Sequence, residues 1–311
     1  MATIPIILDC DPGHDDALAI VLALARPELR LHAITTVAGN APLDRTTRNA
    51  LRVLTLLGRT DVPVAAGADR PLVREPWVPV EFHGDSGLDG ADLPEPAVGP
   101  AEVSAVELMA TLLRAAEEPM TLVATGPLTN VALLLRAAPA LHARIAGISL
   151  MGGSLGAGNT TASAEFNIWA DPEAAAIVFG SGIPIQMSGL DVTHQALVLP
   201  ADIARLEGLG TRAGRVFADL MRFFAIHHHD RYGWDGPPIH DAVAVAWLAV
   251  PDLVVARSLR VDVETTGTHS RGRTVADDEG LSGRPVNAEV GVSIDRARLI
   301  DMVVDAVGQF A

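Results

Sequence analysis

Short, continuous apolar runs alternate along most of the chain with longer stretches that favour helices. Ile4–Leu8 is apolar throughout, as expected of a strand that is buried on both faces. Ala17–Ala25 is rich in helix-forming residues and ends at Arg26-Pro27, where proline cannot continue a helix. The same alternation predicts further strands at 29–37, 120–124, 145–151 and 183–187, and helices at 45–57, 103–116, 128–137 and 172–180. This order predicts an α/β fold with an open, mainly parallel sheet that helices flank on both faces.

The last third of the chain is more helical and continues without a break. After about Thr193 the pattern adds a helix that begins near Ile239 and two shorter strands at 253–263 and 285–292. No Gly/Ser-rich or Pro-rich linker divides these parts. We therefore expect one domain over residues 1–311.

Two polar stretches are too long to be simple connections. Residues 69–100 contain many prolines and glycines, and residues 152–165 are rich in glycine. Long loops in a compact α/β domain are usually functional or disordered, and ligands bind beyond the carboxyl ends of the strands. We therefore predict an active site at that edge of the sheet.

Charge and residue usage exclude several classes of function. The 311 residues carry a formal net charge of −15, from 38 acidic and 23 basic side chains, which argues against nucleic acid or an anionic membrane as a partner. All the basic residues are arginine, and the lack of lysine excludes Schiff-base chemistry, a covalently held pyridoxal cofactor and a P-loop lysine.

Cys10 is the only cysteine, so an internal disulfide and a thiolate zinc cage are excluded. The N-terminal run lacks the basic flank of a signal peptide, and Ala17–Ala25 is too short to span a bilayer. We expect a cytoplasmic protein.

The strongest chemical signal is the acidic cluster in DCDPGHDDALAI, from Asp9 to Ile20. Strand alternation places Asp9 and Asp11 on one face, and Asp15 and Asp16 open the following helix. Helix capping accounts for one or two such acids, but four clustered carboxylates raise one another's pKa values unless a cation is present. Oxygen ligands alone select a hard cation, Ca²⁺ or Mg²⁺.

A second acidic position lies in PPIHDAVAVAWLAV. His240 and Asp241 fall in the first turn of the predicted helix, and adjacent helical residues point ~100° apart. They therefore cannot form a catalytic pair with each other but can serve two neighbouring subsites. The alternative interpretation is a helix cap with a flanking histidine.

The glycine-rich loop and the strand before it supply further polar candidates. If AEFN is extended, Glu165 and Asn167 face the same side and suit hydroxyl recognition, and Asn159 adds another amide. Thr125-Gly126-Pro127 ends a predicted strand, and a backbone carbonyl at such a strand end can be presented as a metal ligand. Ordinary loop polarity is the alternative for each.

Two other motifs are weaker than they look. Gly152–Gly156 matches the G-x-S-x-G nucleophile elbow, but the glycine-rich sequence after it predicts a loop, whereas an elbow runs directly into a helix. The tract His227–His229 resembles a metal site, yet adjacent histidines on a helix point in different directions, so at most two face one site.

Taken together, the motifs resemble the calcium-dependent nucleoside hydrolases of the inosine–uridine-preferring type. The likeness runs almost from end to end. It rests on DCDPGHDDALAI, TTVAGN ending at Asn40, HGDSGLDG from His83, ATGPLTNVA from Ala124, the GN, AEFN and ADPE block from Gly158, HDAVAVA from His240 and SRGRTVAD from Ser270.

The resemblance implies a role for each matching residue. Asp11, Asp16, Asp241 and the Thr125 carbonyl would hold Ca²⁺, and Asp11 would also be the general base on a calcium-bound water. His240 would protonate or hydrogen-bond the leaving base. The remaining implied substrate contacts, ribose first and base last, are Asp15, Asn167, Asn40, Asn159, Glu165, Met151, Phe166, His83 and Tyr232. A homodimer or homotetramer is also implied.

The expected activity is hydrolysis of ribonucleosides to ribose and free base. Glycosidic cleavage passes through an oxocarbenium-like state, which a carboxylate-rich site stabilises. Two other functions are the alternatives. A metal-dependent phosphohydrolase would need a lysine or several arginines near the site to balance phosphate, whereas the chain has no lysine and the motifs contain little arginine. A non-catalytic ribose- or nucleoside-binding protein would not need Asp11 as a base.

Overall fold

The computed structural model describes residues 3–78 and 83–311, so residues 79–82 of the predicted long loop 69–100 lie outside the described residues. The strands are β1 (Ile4–Cys10), β2 (Leu29–Thr36), β3 (Val64–Ala66), β4 (Met120–Ala124), β5 (Ile145–Met151), β6 (Ile185–Ser188), β7 (Val254–Val263), β8 (Thr274–Asp277) and β9 (Ala288–Ile294).

Helices connect most of these strands. They are α1 (His14–Ala25), α2 (Leu43–Leu56), α3 (Ala105–Ala115), α4 (Thr129–Ala137), α5 (Phe166–Ala170), α6 (Pro172–Phe179), α7 (Leu190–Thr193), α8 (Pro200–Gly208), α9 (Arg212–Tyr232), α10 (His240–Ala249) and α11 (Arg296–Val307), with short 3₁₀ helices at Pro139–Arg144 and Pro251–Leu253. None of the helices within the described ranges is long and apolar enough to cross a membrane.

Within the described chain the strands form one sheet of nine, in the order β3-β2-β1-β4-β5-β6-β9-β7-β8. Strands β1 to β6 pair in parallel with one another, and β6 also pairs in parallel with β9, whereas β7 is antiparallel to both β9 and β8. The predicted α/β fold with an open, mainly parallel sheet is confirmed. Strands β3 and β8 were not predicted, because three or four residues carry too little periodicity to be recognised. The single domain over residues 1–311 stays a prediction.

The strand order reverses direction between β1 and β4, which defines the place where a ligand can enter. β1 pairs with β2 on one side and with β4 on the other, and Asp9 lies opposite Ala124 in register. The connections from β1 and β4 leave toward opposite faces, so a crevice opens beyond their carboxyl ends. Asp11 and Thr125 follow directly at those two ends.

Strand β1 is buried on both faces, as its unbroken apolar run predicts. Ile6 and Leu8 pack into the hydrophobic cluster that contains α1, α9, α10 and α11. Ile7 points to the other face and packs with residues of α3, α4 and α6. Alternation along the strand thus joins two helical layers through one strand, which holds the start of the acidic motif rigidly in place.

The segment Ala164–Asn167 is not extended, so the condition under which Glu165 and Asn167 would share one strand face is not met. Glu165 is the N-cap of α5 and Asn167 lies within that helix. The Glu165 carboxylate accepts hydrogen bonds from the backbone N–H groups of Asn167 at 2.9 Å and Ile168 at 3.3 Å. An N-cap side chain that satisfies free N–H groups stabilises a helix start, so a longer side chain here takes the role that Asp or Ser usually has.

Candidate active site

A cavity of about 290 Å³ lies at the carboxyl ends of the central strands. It is lined by Asp15, Asn40, Trp77, His83, Thr125, Met151, Asn159, Thr160, Glu165, Phe166, Asn167, His194, Phe224, His228, Arg231, Tyr232, Trp234, His240 and Asp241. Among the site residues expected from sequence, Asp11 and Asp16 do not line it and are fully buried. The predicted position of the site beyond the strand ends therefore agrees with the position of this cavity.

Three carboxylates meet on one side of the cavity. One oxygen from each of Asp15, Asp16 and Asp241 lies within 4.8 Å of the others, and all three residues are buried. Burial, together with the neighbouring carboxylates, raises the pKa of Asp15 to about 7 and that of Asp241 well above its usual range. Buried carboxylates this close suit a hard cation, because a cation would compensate both their burial and their repulsion.

Asp16 is held by several donors, so its carboxylate has a defined position. Its Oδ2 accepts hydrogen bonds from the Gly13 N–H at 3.0 Å and from Asn40 Nδ2 at 3.2 Å. Its Oδ1 accepts one from Thr125 Oγ1 at 2.8 Å, which ties the start of α1 to the end of β4. The Thr125 carbonyl accepts from Asn167 Nδ2 at 2.9 Å, and a carbonyl oxygen has a second lone pair for a further partner.

Asp11 lies next to this group but points to the ends of β2 and β4. Its Oδ2 accepts a hydrogen bond from the Asn40 N–H at 2.7 Å, whereas its buried Oδ1 has no hydrogen-bond partner among the described residues. A Cβ on Gly39 would lie 2.0 Å from one carboxylate oxygen and a Cβ on Gly126 2.6 Å from the other, so both positions need glycine. Burial raises the pKa of Asp11 well above its usual range, and Asp16 raises it further.

Asp9, the first acid of the motif, belongs to the support of the site and not to the cavity. Its Oδ1 accepts hydrogen bonds from Thr35 Oγ1 at 2.6 Å and from Asn130 Nδ2 at 2.8 Å. Asn130 also donates to the Thr36 carbonyl at 3.0 Å. The four carboxylates of the motif therefore separate into three near the cavity and one that joins β1, β2 and α4.

Glu165, Asn159 and Asn167 also line the cavity. Glu165 is buried and also accepts from the Gly153 N–H at 2.8 Å. Burial raises its pKa to about 7, although backbone N–H donors act in the other direction. Asn159 Oδ1 accepts from the Phe166 N–H at 3.0 Å, which fixes the amide against α5. The Glu165 carboxylate and the Asn167 amide thus lie at the start of one short helix, and Asn159 comes from the loop before it, with Met151 and Phe166 also lining the cavity.

Histidines and aromatic rings form the remaining wall. His240 Nδ1 is 2.7 Å from Thr193 Oγ1, and burial lowers the pKa of His240 well below its usual value. Tyr232 and Trp234 stack with ring centroids 4.6 Å apart. His194 makes edge contacts with Trp234 at 4.9 Å and with His240 at 5.6 Å. This wall is apolar enough to receive a flat aromatic ring.

Neither weaker motif forms the site that it resembles. The chain after β5 stays irregular until α5 begins at Phe166, so Ser154 is not on a strand-to-helix elbow. Of the tract His227–His229, only His228 lines the cavity.

Several lining residues were not predicted: Trp77, Thr160, His194, Phe224, Arg231 and Trp234. Trp77 lies in the long loop 69–100, for which the sequence left a functional and a disordered loop as alternatives. His194 directly follows α7, which begins just beyond β6. A search of every segment that follows a parallel strand would have included it.

The chain is similar over nearly its whole length to known nucleoside hydrolases. The family model described as inosine-uridine preferring nucleoside hydrolase matches residues 6–301. The pyrimidine-specific ribonucleoside hydrolase RihA of Enterobacter sp. (strain 638) is 52% identical over 309 residues, which cover 99% of each chain. The protein of the same name from Salmonella arizonae is 54% identical over 303 residues, with 97% of each chain covered.

Solved structures show the same architecture. The purine-preferring ribonucleoside hydrolase from Gardnerella vaginalis has a TM-score of 0.92 at 34% identity, with 98% of each chain covered. An inosine-guanosine nucleoside hydrolase has a TM-score of 0.90 at 30% identity and full coverage of both chains, 100% each.

Proposed function

The chain belongs to the inosine-uridine preferring nucleoside hydrolase family and is a ribonucleoside hydrolase, and we propose that it works with Ca²⁺ held by the buried carboxylates. The observation that carries the proposal is the group of Asp15, Asp16 and Asp241 beside a cavity of about 290 Å³. When bound, Ca²⁺ would neutralise these carboxylates, orient a ribose diol and lower the pKa of a coordinated water.

We propose Asp11, Asp16, Asp241 and the Thr125 carbonyl as the calcium ligands. The buried Asp11 Oδ1 without a hydrogen-bond partner supports this set, as does the second lone pair of the Thr125 carbonyl. Asp15, the third member of the close carboxylate group, lines the cavity and is proposed to bind the ribose hydroxyls.

Asp11 is proposed as the general base. Its carboxylate is fixed by the Asn40 N–H at 2.7 Å and has a free oxygen, so it can take the proton of the attacking water. The water oxygen then bonds to C1′ while the glycosidic bond breaks and its electron pair goes to the base nitrogen. The nearby carboxylates favour the positive charge that develops on the sugar.

His240 is proposed to assist the departing base. It lines the cavity next to the aromatic wall, and Thr193 fixes its Nδ1 at 2.7 Å, which leaves Nε2 for the substrate. A histidine here can donate a proton or a hydrogen bond to the base as negative charge develops on it. Tyr232 and Trp234 would contact the ring of the base.

Ribose recognition is proposed to depend on both secondary hydroxyls. Asn40 and Asn167, together with Asp15, supply acceptors and donors for the diol, while Asn159 and Glu165 face the 5′-hydroxyl. A 2′-deoxyribonucleoside would leave these buried polar groups unpaired. Such a loss typically lowers kcat/KM far more than the loss of one methylene does.

The names of the two RihA relatives support a preference for pyrimidines. The test is ribose release by the calcium-loaded protein from uridine, cytidine, inosine, adenosine and 2′-deoxyuridine. We expect the highest kcat/KM on uridine and cytidine and at least ~100-fold less on 2′-deoxyuridine. Equal turnover of the deoxynucleoside would contradict the proposed ribose site, and release of phosphate from a nucleotide without ribose release would favour a phosphohydrolase.

Assembly and compartment remain proposals. A homodimer or homotetramer and a cytoplasmic location rest on the family resemblance and on the sequence. Light scattering of the purified protein and fractionation of the source cells would check them.

A further inference from the structure

A pair of histidines beside the cavity has a hydrogen-bond arrangement that fixes which ring nitrogen carries the proton. His14, in the first turn of α1, is fully buried, and His83 is buried at the cavity wall. Their Nδ1 atoms are 3.0 Å apart. One proton must lie between two nitrogens at this distance, so one ring donates and the other accepts.

The partner of the other His14 nitrogen decides the direction. His14 Nε2 is 2.8 Å from the Asp89 carbonyl oxygen. A carbonyl oxygen can only accept, so His14 Nε2 carries a proton. In a neutral ring His14 Nδ1 is then the acceptor, His83 Nδ1 is the donor, and His83 Nε2 keeps a free lone pair.

The surroundings keep the His14 ring neutral. The ring stacks on Phe223 and Phe224 with centroids 5.4 and 5.0 Å away, and neither of its nitrogens contacts a carboxylate of the residues that the structure describes. A fully buried cation without an anionic partner is strongly unfavourable. The one competing contact, from the His14 backbone N–H to His83 Nδ1, measures 3.5 Å and exceeds the normal range of ~2.7–3.2 Å.

The loop from His83 to Gly90 holds the Asp89 carbonyl in place. The Asp89 N–H donates to the His83 carbonyl at 3.2 Å, and the Asp89 carboxylate accepts from the Asp85 N–H at 2.9 Å and from the Ser86 side chain. A Cβ on Gly84, whose φ is +76°, would lie 2.1 Å from the Asp89 carboxylate. The hydrogen bonds within this turn therefore orient the Asp89 carbonyl, which accepts the proton of His14 Nε2.

We propose that His83 faces the cavity with Nε2 as a hydrogen-bond acceptor for an N–H or O–H donor of the nucleoside, and that His14 and the Asp89 carbonyl fix this polarity. His83 Nε2 has no hydrogen bond to the described residues, although the residue lines the cavity. The proposal rests on the proposed function. It assigns His14 as a positioning residue, and it leaves His240 rather than His83 to donate to the leaving base.

The direct test is the protonation site of each ring nitrogen in the full-length, calcium-loaded protein, measured by long-range ¹H–¹⁵N correlation with ¹⁵N-labelled histidine. We expect the His83 proton on Nδ1 and the His14 proton on Nε2. A proton on His83 Nε2 would overturn the proposal. This measurement does not depend on turnover, so it separates failure of the proposal from failure of the proposed activity, which the ribose assay reports.

Kinetics of two His14 variants test the consequence. His14→Phe keeps a stacked ring but removes the nitrogen that accepts from His83 Nδ1. The His83 proton is then no longer held on Nδ1 and can move to Nε2. Loss of one substrate hydrogen bond should raise KM for uridine ~5–10-fold, with kcat changed less than ~2-fold. His14→Gln restores one acceptor and one donor and should recover most of the affinity. The control His142→Phe removes a histidine that also bonds a backbone carbonyl, at 3.1 Å, far from the cavity, and should change neither constant.

Substrate analogues identify the donor. With 3-methyluridine the base has lost its N–H, and with 5′-deoxyuridine the ribose has lost its primary hydroxyl. The effect of His14→Phe on KM should disappear with the analogue that lacks the donor. If it persists unchanged with both, or if His14→Gln behaves like His14→Phe, the acceptor role of His83 is wrong.

Discussion

At the scale of single residues, identical side chains in one short motif have different roles because their neighbours differ. Asp9 and Asp11 are two residues apart, and both are buried. Each keeps one buried oxygen without a hydrogen bond among the described residues, but the surroundings of the two carboxylates differ. Asp9 receives two side-chain donors on its other oxygen, whereas Asp11 receives one backbone donor and lies beside the carboxylate of Asp16. Because only Asp11 lies next to the carboxylate group at the cavity, we expect the two positions to respond differently to the same substitution.

Asp11→Asn should lower kcat ~10²–10⁴-fold, because the amide cannot act as the general base. Asp9→Asn is the matched control, since its Oδ1 can still accept from Thr35 and Asn130, and its kcat should stay within ~5-fold of the unchanged protein. Ribose release at saturating uridine measures both. The base assignment is wrong if Asp11→Asn keeps more than about a tenth of the activity while circular dichroism shows a folded protein.

His240→Ala should affect substrates according to their leaving groups. A donor to the base matters where the base must be protonated as it departs, so turnover of uridine or inosine should fall ~10²-fold or more. p-Nitrophenyl riboside, whose phenolate departs without a proton, should lose little. The comparison of kcat on these substrates is the measurement.

Equal losses on the two kinds of substrate would mean that His240 supports its neighbour Asp241. No loss on either would assign His240 a structural role. Since Thr193 contacts Nδ1 at 2.7 Å, Thr193→Val offers a milder variant that should change the same substrates in the same order.

At the scale of elements, helix starts supply much of the site. Helix α1 presents Asp15 and Asp16 in its first turn, where the positive end of the helix dipole favours carboxylates. Helix α5 is capped by Glu165, and α6 by Asp171, so three helix starts use acidic side chains near the cavity or just behind it. Acidic side chains at helix starts therefore serve the site as well as stabilise the helices.

Asp171→Ala should destabilise the protein by roughly 3 kcal/mol, because it removes a helix cap and leaves buried donors without a partner. Asp171 is buried and accepts from the Ala174 N–H at 3.0 Å, the Leu72 N–H at 2.8 Å and Thr129 Oγ1 at 2.7 Å. Chemical denaturation measures the loss. Ser104→Ala removes an exposed cap from α3 and should lower the free energy of unfolding clearly less. An equal or larger decrease for Ser104→Ala would contradict the argument from burial.

At the scale of the whole molecule, the site depends on segments that meet at the reversal of strand order. Asp11 follows β1, Asn40 follows β2, Thr125 follows β4, and Asp241 comes from α10 in the last third of the chain. The chain has no lysine to balance the converging carboxylates. A bound cation would then link these segments, so its loss should weaken the fold as well as the activity.

Removal of divalent metal should lower the melting temperature by at least ~3 °C and abolish ribose release, and Ca²⁺ should restore both. A ligand that binds only the native state stabilises it by mass action, ~2.7 kcal/mol at 100 times Kd. Scanning calorimetry of verified metal-free protein, with and without Ca²⁺, is the measurement. In Asp241→Asn, added Ca²⁺ should raise the melting temperature much less. An unchanged melting temperature in the metal-free native protein would rule out the calcium site.

The sequence by itself determined the parts of this protein that depend on neighbours in the chain. Apolar runs and proline or glycine stops predicted most strands and helices, and the acidic motif with its companions indicated the family. These features are local because strand and helix periodicity is set by residues two to four apart.

Only the tertiary structure decided which of the distant side chains meet. The pairing of β1 with both β2 and β4 separates Asp9 from the cavity and turns Asp11 toward Asn40. The contact between His14 and His83 joins positions 69 apart, and the lining by His194 and Trp234 depends on how α7 and the end of α9 pack. Such contacts depend on strand register and helix packing across the whole sheet, which no local pattern encodes.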